Sequence, residues 1–284
     1  MARERDAAQI SPTAHYTGQA WVHHGLSDPV LATPEGLVLF HGLRPLDRTL
    51  ALLGQPTVDG FLLSRHLTID AYLRDVLDSG AVTQVVELAC GLSPRGLRFK
   101  REYGDRIVYV EADLPDMVRL KRRRLRRVTA LDEGHRVVAV DALVDDGPHS
   151  LGELMATLDP RAGTAIITEG LINYFDQRTA EEMFARFARA LEPFPTGLYL
   201  SDLYLAGDTS SMLARIFSVG LSVFVRGSVH VYYADEDEAA PALRAAGFVG
   251  VRAGRAAAHS EVGRAGRDPA ASMVRVVRAS TVGD

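Results

Sequence analysis

The sequence predicts an α/β protein built on a mostly parallel, seven-stranded sheet, and three observations predict it. From Val85 onward, apolar runs of strand length alternate with helical segments, the pattern of a parallel sheet covered on both faces. Two further strand-like runs near the C-terminal end bracket a polar loop, which implies an antiparallel hairpin. A long helical period stands directly before the first strand. The 284 residues, 47% hydrophobic and 24% charged, are enough for a single three-layer domain.

Each element follows from the chain in order. Residues 14–48 are rich in aromatics, His, Gly and Pro and lack one clear period, so they are assigned to a lid of short helices. The expected division is a lid segment over 1–60 packed on a core over 61–284. Phe61 to Ser79 carries Leu63, Leu67, Ile69, Leu73, Val76 and Leu77 at helical spacing, and Gly80 follows as a stop. Five strands are expected at Gln84 to Leu88, Arg106 to Val110, Arg136 to Val140, Thr164 to Thr168 and Gly197 to Leu203. Helices near Leu97, Met117, Leu154 and Phe184 separate them. Ser210 to Val225 is strongly apolar and implies an inserted helical cap near 205–235. Asp235 is placed to cap a helix that Gly247 ends. Phe248 to Arg252 and Met273 to Ala279 then flank AGRAAAHSEVGRAGRDPAAS as the hairpin. A nucleotide-binding dehydrogenase would more often continue in parallel βα units.

Composition excludes several classes of partner. With 32 basic and 36 acidic side chains the net charge is -4, which offers no global attraction to nucleic acid or an anionic membrane. The run KRRRLRR, Lys121 to Arg127, reads as a solvated outer helix with Leu120 and Leu125 turned inward. One cysteine allows no internal disulfide, and there is no CxxC pair, HxxxH pair or carboxylate cluster to hold a metal. The start MARERDAAQI lacks an apolar stretch, and no run reaches the roughly 20 apolar residues of a membrane span. A cytoplasmic protein is expected.

The chemistry-bearing residues gather at the carboxyl ends of the strands, where open parallel sheets bind ligands. In VVELACGLSPRG a strand runs into a tight turn with Ala89 and Gly91, and Pro94 marks a helix start. Small residues there let a ligand approach backbone amides and a helix N-terminus. The spacing is Ala-x-Gly rather than GxGxxG, which argues against a dinucleotide. Glu111 and Asp113 end the second strand about 20 residues later, where an acid accepts hydrogen bonds from ribose hydroxyls. Asp141 and Ala142 end the third strand and offer a carboxylate and an amide to an adenine edge. Glu169 ends the fourth.

The blocks AHYTGQAWVHHGLSDP, SRHLTID, VVELACGLSPRG, YVEADLPDMVRLKR and ITEGLINYF occur in an order that resembles the leucine carboxyl methyltransferase-like family. The closer likeness is to its bacterial polyketide-type O-methyltransferases. It extends to about Phe175. The resemblance implies a Rossmann-like class I methyltransferase fold and a site for S-adenosyl-L-methionine (SAM). It assigns Arg65 to the methionine carboxylate, Ala89 and Gly91 to the turn against the cofactor, Asp113 to the ribose, Asp141 and Ala142 to the adenine, and Glu169 to the methionine amino end. An arginine suits a carboxylate through paired hydrogen bonds. Many relatives have Gly-Ala-Gly and then Asp where this chain has Ala89-Cys90-Gly91 and Ser93-Pro94-Arg95, and Ala142 stands for the commoner Leu.

The expected reaction is transfer of the SAM methyl group to a carboxylate or hydroxyl of a small specialised metabolite, such as a polyketide, or to a peptide C-terminal carboxylate. A carboxylate acceptor needs no base at neutral pH, whereas a phenol would use one, and His15 is the candidate. Tyr16, Trp21, Tyr174 and Tyr204 are the expected substrate contacts. Asn173-Tyr174 is a faint echo of the Asn-Pro-Pro-Tyr element of amino-directed methyltransferases, without its prolines. The alternatives are a non-catalytic SAM-fold binding protein and, further off, an NAD-dependent oxidoreductase.

Overall fold

A computed structural model describes residues 12–206, 230–256, 262–263 and 265–283. The strands form a seven-stranded sheet in the order β3-β2-β1-β4-β5-β7-β6. The chain divides into two compact units, residues 1–43 with 83–159 and residues 44–82 with 160–284.

The first unit holds α1 (Pro12–His23), β1 (Gln84–Leu88), α4 (Arg95–Tyr103), β2 (Val108–Asp113), α5 (Pro115–Leu125), β3 (His135–Ala139) and the short α6 (Leu151–Met155). Its strands are parallel, with Glu87 beside Glu111 and Glu111 beside Val137. Leu31, Leu92, Leu97, Met117, Val118, Leu125 and Val137 make a buried cluster under α4 and α5. Lys121 departs from expectation: it is fully buried, so the basic run is not a wholly solvated face. The helix also ends at Leu125, before the run does.

The second unit contains α3 (Val58–Asp78), β4 (Thr164–Thr168), α7 (Gln177–Leu191), β5 (Gly197–Leu203), α8 (Glu236–Ala245), β6 (Gly250–Arg255) and β7 (Arg275–Ser280). β4 and β5 run parallel, while β7 pairs antiparallel with both β5 and β6. The expected hairpin therefore forms, with its second strand inserted next to β5. Thr57 caps α3 by accepting from Gly60 N at 2.9 Å, and Asp235 caps α8 by accepting from Asp237 N and Glu238 N. Gly80 and Gly247, at φ of 73° and 116°, end α3 and α8 as expected. The unit boundary falls inside α2 (Pro34–Leu52), a 19-residue helix that runs through Pro45 where only short helices were expected. The apolar segment 210–225 lies outside the described residues. Among those described, no helix is long and apolar enough to cross a membrane.

Candidate functional site

In the first unit the turn after β1 is built around two left-handed residues, Ala89 and Gly91, both at φ 50°. For Ala89 that conformation costs about 1 kcal/mol. Gly91 N donates to Asp113 Oδ2 at 2.7 Å and Leu114 N donates to Asp113 Oδ1 at 2.7 Å, so one carboxylate pins the turn to the end of β2. Burial raises the Asp113 pKa against the opposing pull of those two amides. A Cβ on Gly91 would meet only Ala14 Cβ, at 3.5 Å. Ser93, rather than Pro94, satisfies the start of α4: its Oγ accepts from Arg95 N at 3.2 Å and donates to Glu87 Oε1 at 2.8 Å.

Asp141 follows β3 and is half-buried, with Oδ1 accepting from Leu143 N at 2.9 Å. Its Oδ2 makes no hydrogen bond among the described residues. Ala142, beside it, is also half-buried.

Glu111 takes a different place from the one its strand-end position suggested. Its Oε1 lies 2.7 Å from His135 Nε2, and its Oε2 pairs with Lys121 Nζ. Burial alone would raise its pKa, but Lys121 and then His135 outweigh burial and hold it below the usual carboxylate range. A Cβ at Gly96 would lie 2.5 Å from the Glu111 carboxyl carbon, so α4 closes over this acid. The carboxylate is committed to protein partners, and Asp113 is the β2 acid that borders the turn. A parallel group stands alongside: Glu87 accepts from Arg95 Nη1 at 2.5 Å and from the Tyr109 hydroxyl at 2.9 Å. Sequence reasoning missed Glu87, Arg95, Lys121 and His135. For Glu87 and Arg95, and for Glu111 and Lys121, the signal is a strand acid followed by a cation in the next helix, whereas His135 reaches Glu111 from β3.

In the second unit Arg65 is the centre. Its Nε donates to Glu169 Oε1 at 3.1 Å, and its Nη1 donates to Asp202 Oδ2 at 3.2 Å and to the Tyr204 hydroxyl at 2.8 Å. Burial would lower the Arg65 pKa, but Tyr204, Asp202 and Glu169 raise it overall, and the guanidinium stays charged. Nη2 makes no hydrogen bond among the described residues. His66 Nδ1 lies 2.8 Å from Glu169 Oε2, and Asp70 Oδ2 is 3.8 Å from His66 Nε2. Gly170, at φ 67°, keeps this space open, since a Cβ there would meet Arg65 Nη2 at 2.9 Å.

The four aromatic residues expected to contact substrate differ among themselves. Tyr16 and Trp21 are 1% and 2% exposed in the first unit, with the Tyr16 ring 5.6 Å from that of Phe40. Tyr174 is 38% exposed. Tyr204 is buried, its hydroxyl donating to Asp202 Oδ2 at 2.9 Å while accepting from Arg65, and its ring lies 5.1 Å from Phe61. Its hydroxyl is thus already occupied by protein groups. His15 Nδ1 is 2.9 Å from Thr33 Oγ1, and burial lowers its pKa, which keeps the imidazole neutral. Asn173 spends its carboxamide on backbone: Nδ2 donates to His230 O at 2.6 Å and Oδ1 accepts from Tyr204 N at 3.2 Å.

Comparison with known proteins decides the family. The model of the family described as leucine carboxyl methyltransferase matches residues 37–188, just over half of the chain. The chain belongs to the leucine carboxyl methyltransferase family. That span contains Arg65, Ala89, Gly91, Glu111, Asp113, Asp141, Ala142 and Glu169. Relatives include a proposed S-adenosyl-L-methionine-dependent methyltransferase of Mycolicibacterium smegmatis, 32% identical over 169 residues, covering 55% of each chain. The tetracenomycin polyketide synthesis O-methyltransferase TcmP of Streptomyces glaucescens is 27% identical over 121 residues, covering 43% of this chain and 39% of that one. The chain spans about half the length, or less, of these curated relatives. A DUF574 family protein of Streptomyces avermitilis has the same fold, with a TM-score of 0.63 at 13% identity, covering 96% of this chain and 97% of that one. PigF, solved with SAH, gives a TM-score of 0.51 at 16% identity, covering 75% and 54%.

Proposed function

We propose that this chain is a SAM-dependent O-methyltransferase whose acceptor is a carboxylate, or a hydroxyl, of a small specialised metabolite, or the C-terminal carboxylate of a peptide, acting in the cytoplasm. The observation that carries the reading is family membership across residues 37–188, which takes in every residue assigned to the cofactor.

The residues present fit the cofactor. The left-handed turn at Ala89 and Gly91 exposes backbone with no Cβ at Gly91, and Asp113 retains lone pairs beyond the two amides it accepts. Asp113 would take the ribose, and Asp141 with the Ala142 amide the adenine. In the second unit Arg65 would take the methionine carboxylate through its Nη2 edge, and Glu169 the amino group. Glu111 is left out of this set because His135 and Lys121 hold it. When bound, SAM supplies a methyl group made electrophilic by its sulfonium. The protein's part is to hold the acceptor in line and exclude water. An ionised carboxylate needs no proton removed, while a phenol would use His15 in its neutral form. Asn173 is engaged on both ends of its carboxamide, which disfavours an amine-directed role. Acceptor choice is assigned to residues 1–60 and to the region near 205–235.

Two measurements test this. Calorimetry should show SAM binding and no NAD binding, and Arg65→Ala and Asp141→Ala should each weaken SAM affinity by about tenfold or more, the worth of a charged hydrogen bond. No SAM binding at millimolar concentration, or unchanged affinity in both variants, overturns the assignment. Isotopic methyl transfer into carboxylic acids, phenols and peptides, followed by base, should release labelled methanol if the product is an ester. Base-stable label would indicate an ether or amine instead.

A further inference from the structure

The charge balance around Arg65 involves an acid that none of the sequence motifs contains. Asp202 sits near the end of β5, 2% exposed, and divides its two oxygens between two different structures. Oδ1 accepts from Gly170 N at 2.7 Å, and Oδ2 accepts from Arg65 Nη1 at 3.2 Å and from the Tyr204 hydroxyl at 2.9 Å. One carboxylate therefore fixes the residue that follows Glu169 and, at the same time, the guanidinium that Glu169 faces. Tyr204 closes the triangle by accepting from Arg65 Nη1 at 2.8 Å. The Phe61 ring, 5.6 Å from the guanidinium carbon, lies on the same group.

This arrangement has a physical consequence for a ligand carboxylate. A long, flexible arginine loses binding strength if it must be ordered each time a ligand arrives, and a guanidinium already locked on two sides avoids that loss. Nε and Nη1 are the two positions locked. Nη2, facing Gly170, is the edge left for a ligand.

We propose that Asp202 is the positioning residue for the methionine end of the cofactor: it holds Arg65 and the Gly170 turn in place, with the Tyr204 hydroxyl as its bridge, and touches neither cofactor nor acceptor itself. Tyr204 thereby moves from a substrate contact to a member of this support. The inference rests on the SAM-binding reading above, and the test separates the two. S-adenosylhomocysteine (SAH) carries the amino acid end, whereas 5′-methylthioadenosine keeps the adenosine and lacks it. Asp202→Asn keeps the shape but puts a donor or a neutral oxygen where Arg65 needs a charge. It should weaken SAH binding by calorimetry about ten- to hundredfold, the range for losing a hydrogen bond to a charged group, while 5′-methylthioadenosine affinity stays within about twofold of wild type. Tyr204→Phe removes only the bridging hydroxyl and should show a smaller loss of the same selectivity; it decides the matter if Asp202→Asn does not fold by circular dichroism. Equal losses for both ligands, or no loss for SAH, in the folded variant overturn the positioning role. If wild type binds neither ligand, the SAM reading itself fails.

Discussion

Replacing Lys121 by Met removes the cation from a fully buried pair without leaving a hole, and its cost can be worked from the structure. Lys121 and Glu111 are both 0% exposed, and burial leaves Glu111 no water to turn to. Breaking a buried ion pair from one side costs about 3–5 kcal/mol. His135 stays 2.7 Å from Glu111 Oε1, so the lower end applies, about 3 kcal/mol. With about 2.1 cal/mol/K of unfolding entropy per residue, a chain of 284 residues should lose about 5 °C in Tm. Calorimetric melting at neutral pH measures this. The double variant Lys121→Met with Glu111→Gln removes the stranded charge and should recover at least half of the loss. The pH dependence has a definite sign. Because Glu111 has its pKa lowered in the fold, its stabilisation is present above the ordinary carboxylate value, near 4.3, and is lost as pH falls through the lowered value. Lys121→Met takes away most of that contribution, so the Tm gap to wild type should narrow below about pH 4. A Lys121→Met variant that melts within about 1 °C of wild type, as a surface substitution would, refutes the buried-pair reasoning. So does a double variant no more stable than the single.

Two other substitutions probe the backbone at the site. Gly170→Ala puts a Cβ 2.9 Å from Arg65 Nη2 at a φ of 67°, and Arg65 cannot yield without leaving Glu169 and Asp202; SAM affinity by calorimetry should fall about tenfold. Ala89→Gly relieves a left-handed alanine at φ 50° and should raise stability in denaturant by about 1 kcal/mol with SAM binding kept, and a loss of stability would show the turn unstrained.

The strands that were placed to the residue from sequence are β1, β4 and β5, and each is buried along its whole length. A strand covered on both faces reads as a mainly apolar run whose ends lie where polarity begins, with a buried acid such as Glu87 in QVVEL or Asp202 in GLYLSDL carried inside it by its apolar neighbours. β2 shows the limit of that rule. Its structure continues to Asp113, past the expected end at Val110, because Glu111 is buried by pairing rather than by being apolar. The same pairing explains why Lys121 looked like one more solvated charge in a basic run. The stretch 14–48, read as short helices for want of one clear period, instead runs into α2, a continuous 19-residue helix with Pro45 inside it.

The residues proposed for the cofactor divide along a similar line. Asp113 and the Ala89–Gly91 turn were legible because a strand, a small-residue turn and a strand-end acid recur at short, fixed spacing, and the structure ties them with one bond spanning 22 residues. Glu111 is engaged by Lys121 and His135, which that logic does not anticipate, since spacing locates an acid on a strand end without saying what the next helix brings to it. A buried strand acid with a cation in the helix that follows, as in Glu87 with Arg95 eight residues on, is a competing pattern that sequence can be searched for. Asp202 offers no such handle. Its partner Arg65 is 137 residues away, and its own strand, GLYLSDL, gives no periodic reason to single it out. What makes Asp202 stand out is a matter of valence: a buried carboxylate that accepts from a backbone amide, an arginine and a tyrosine at once must sit where those three converge. Convergence of that kind is set by tertiary packing and is invisible to local spacing.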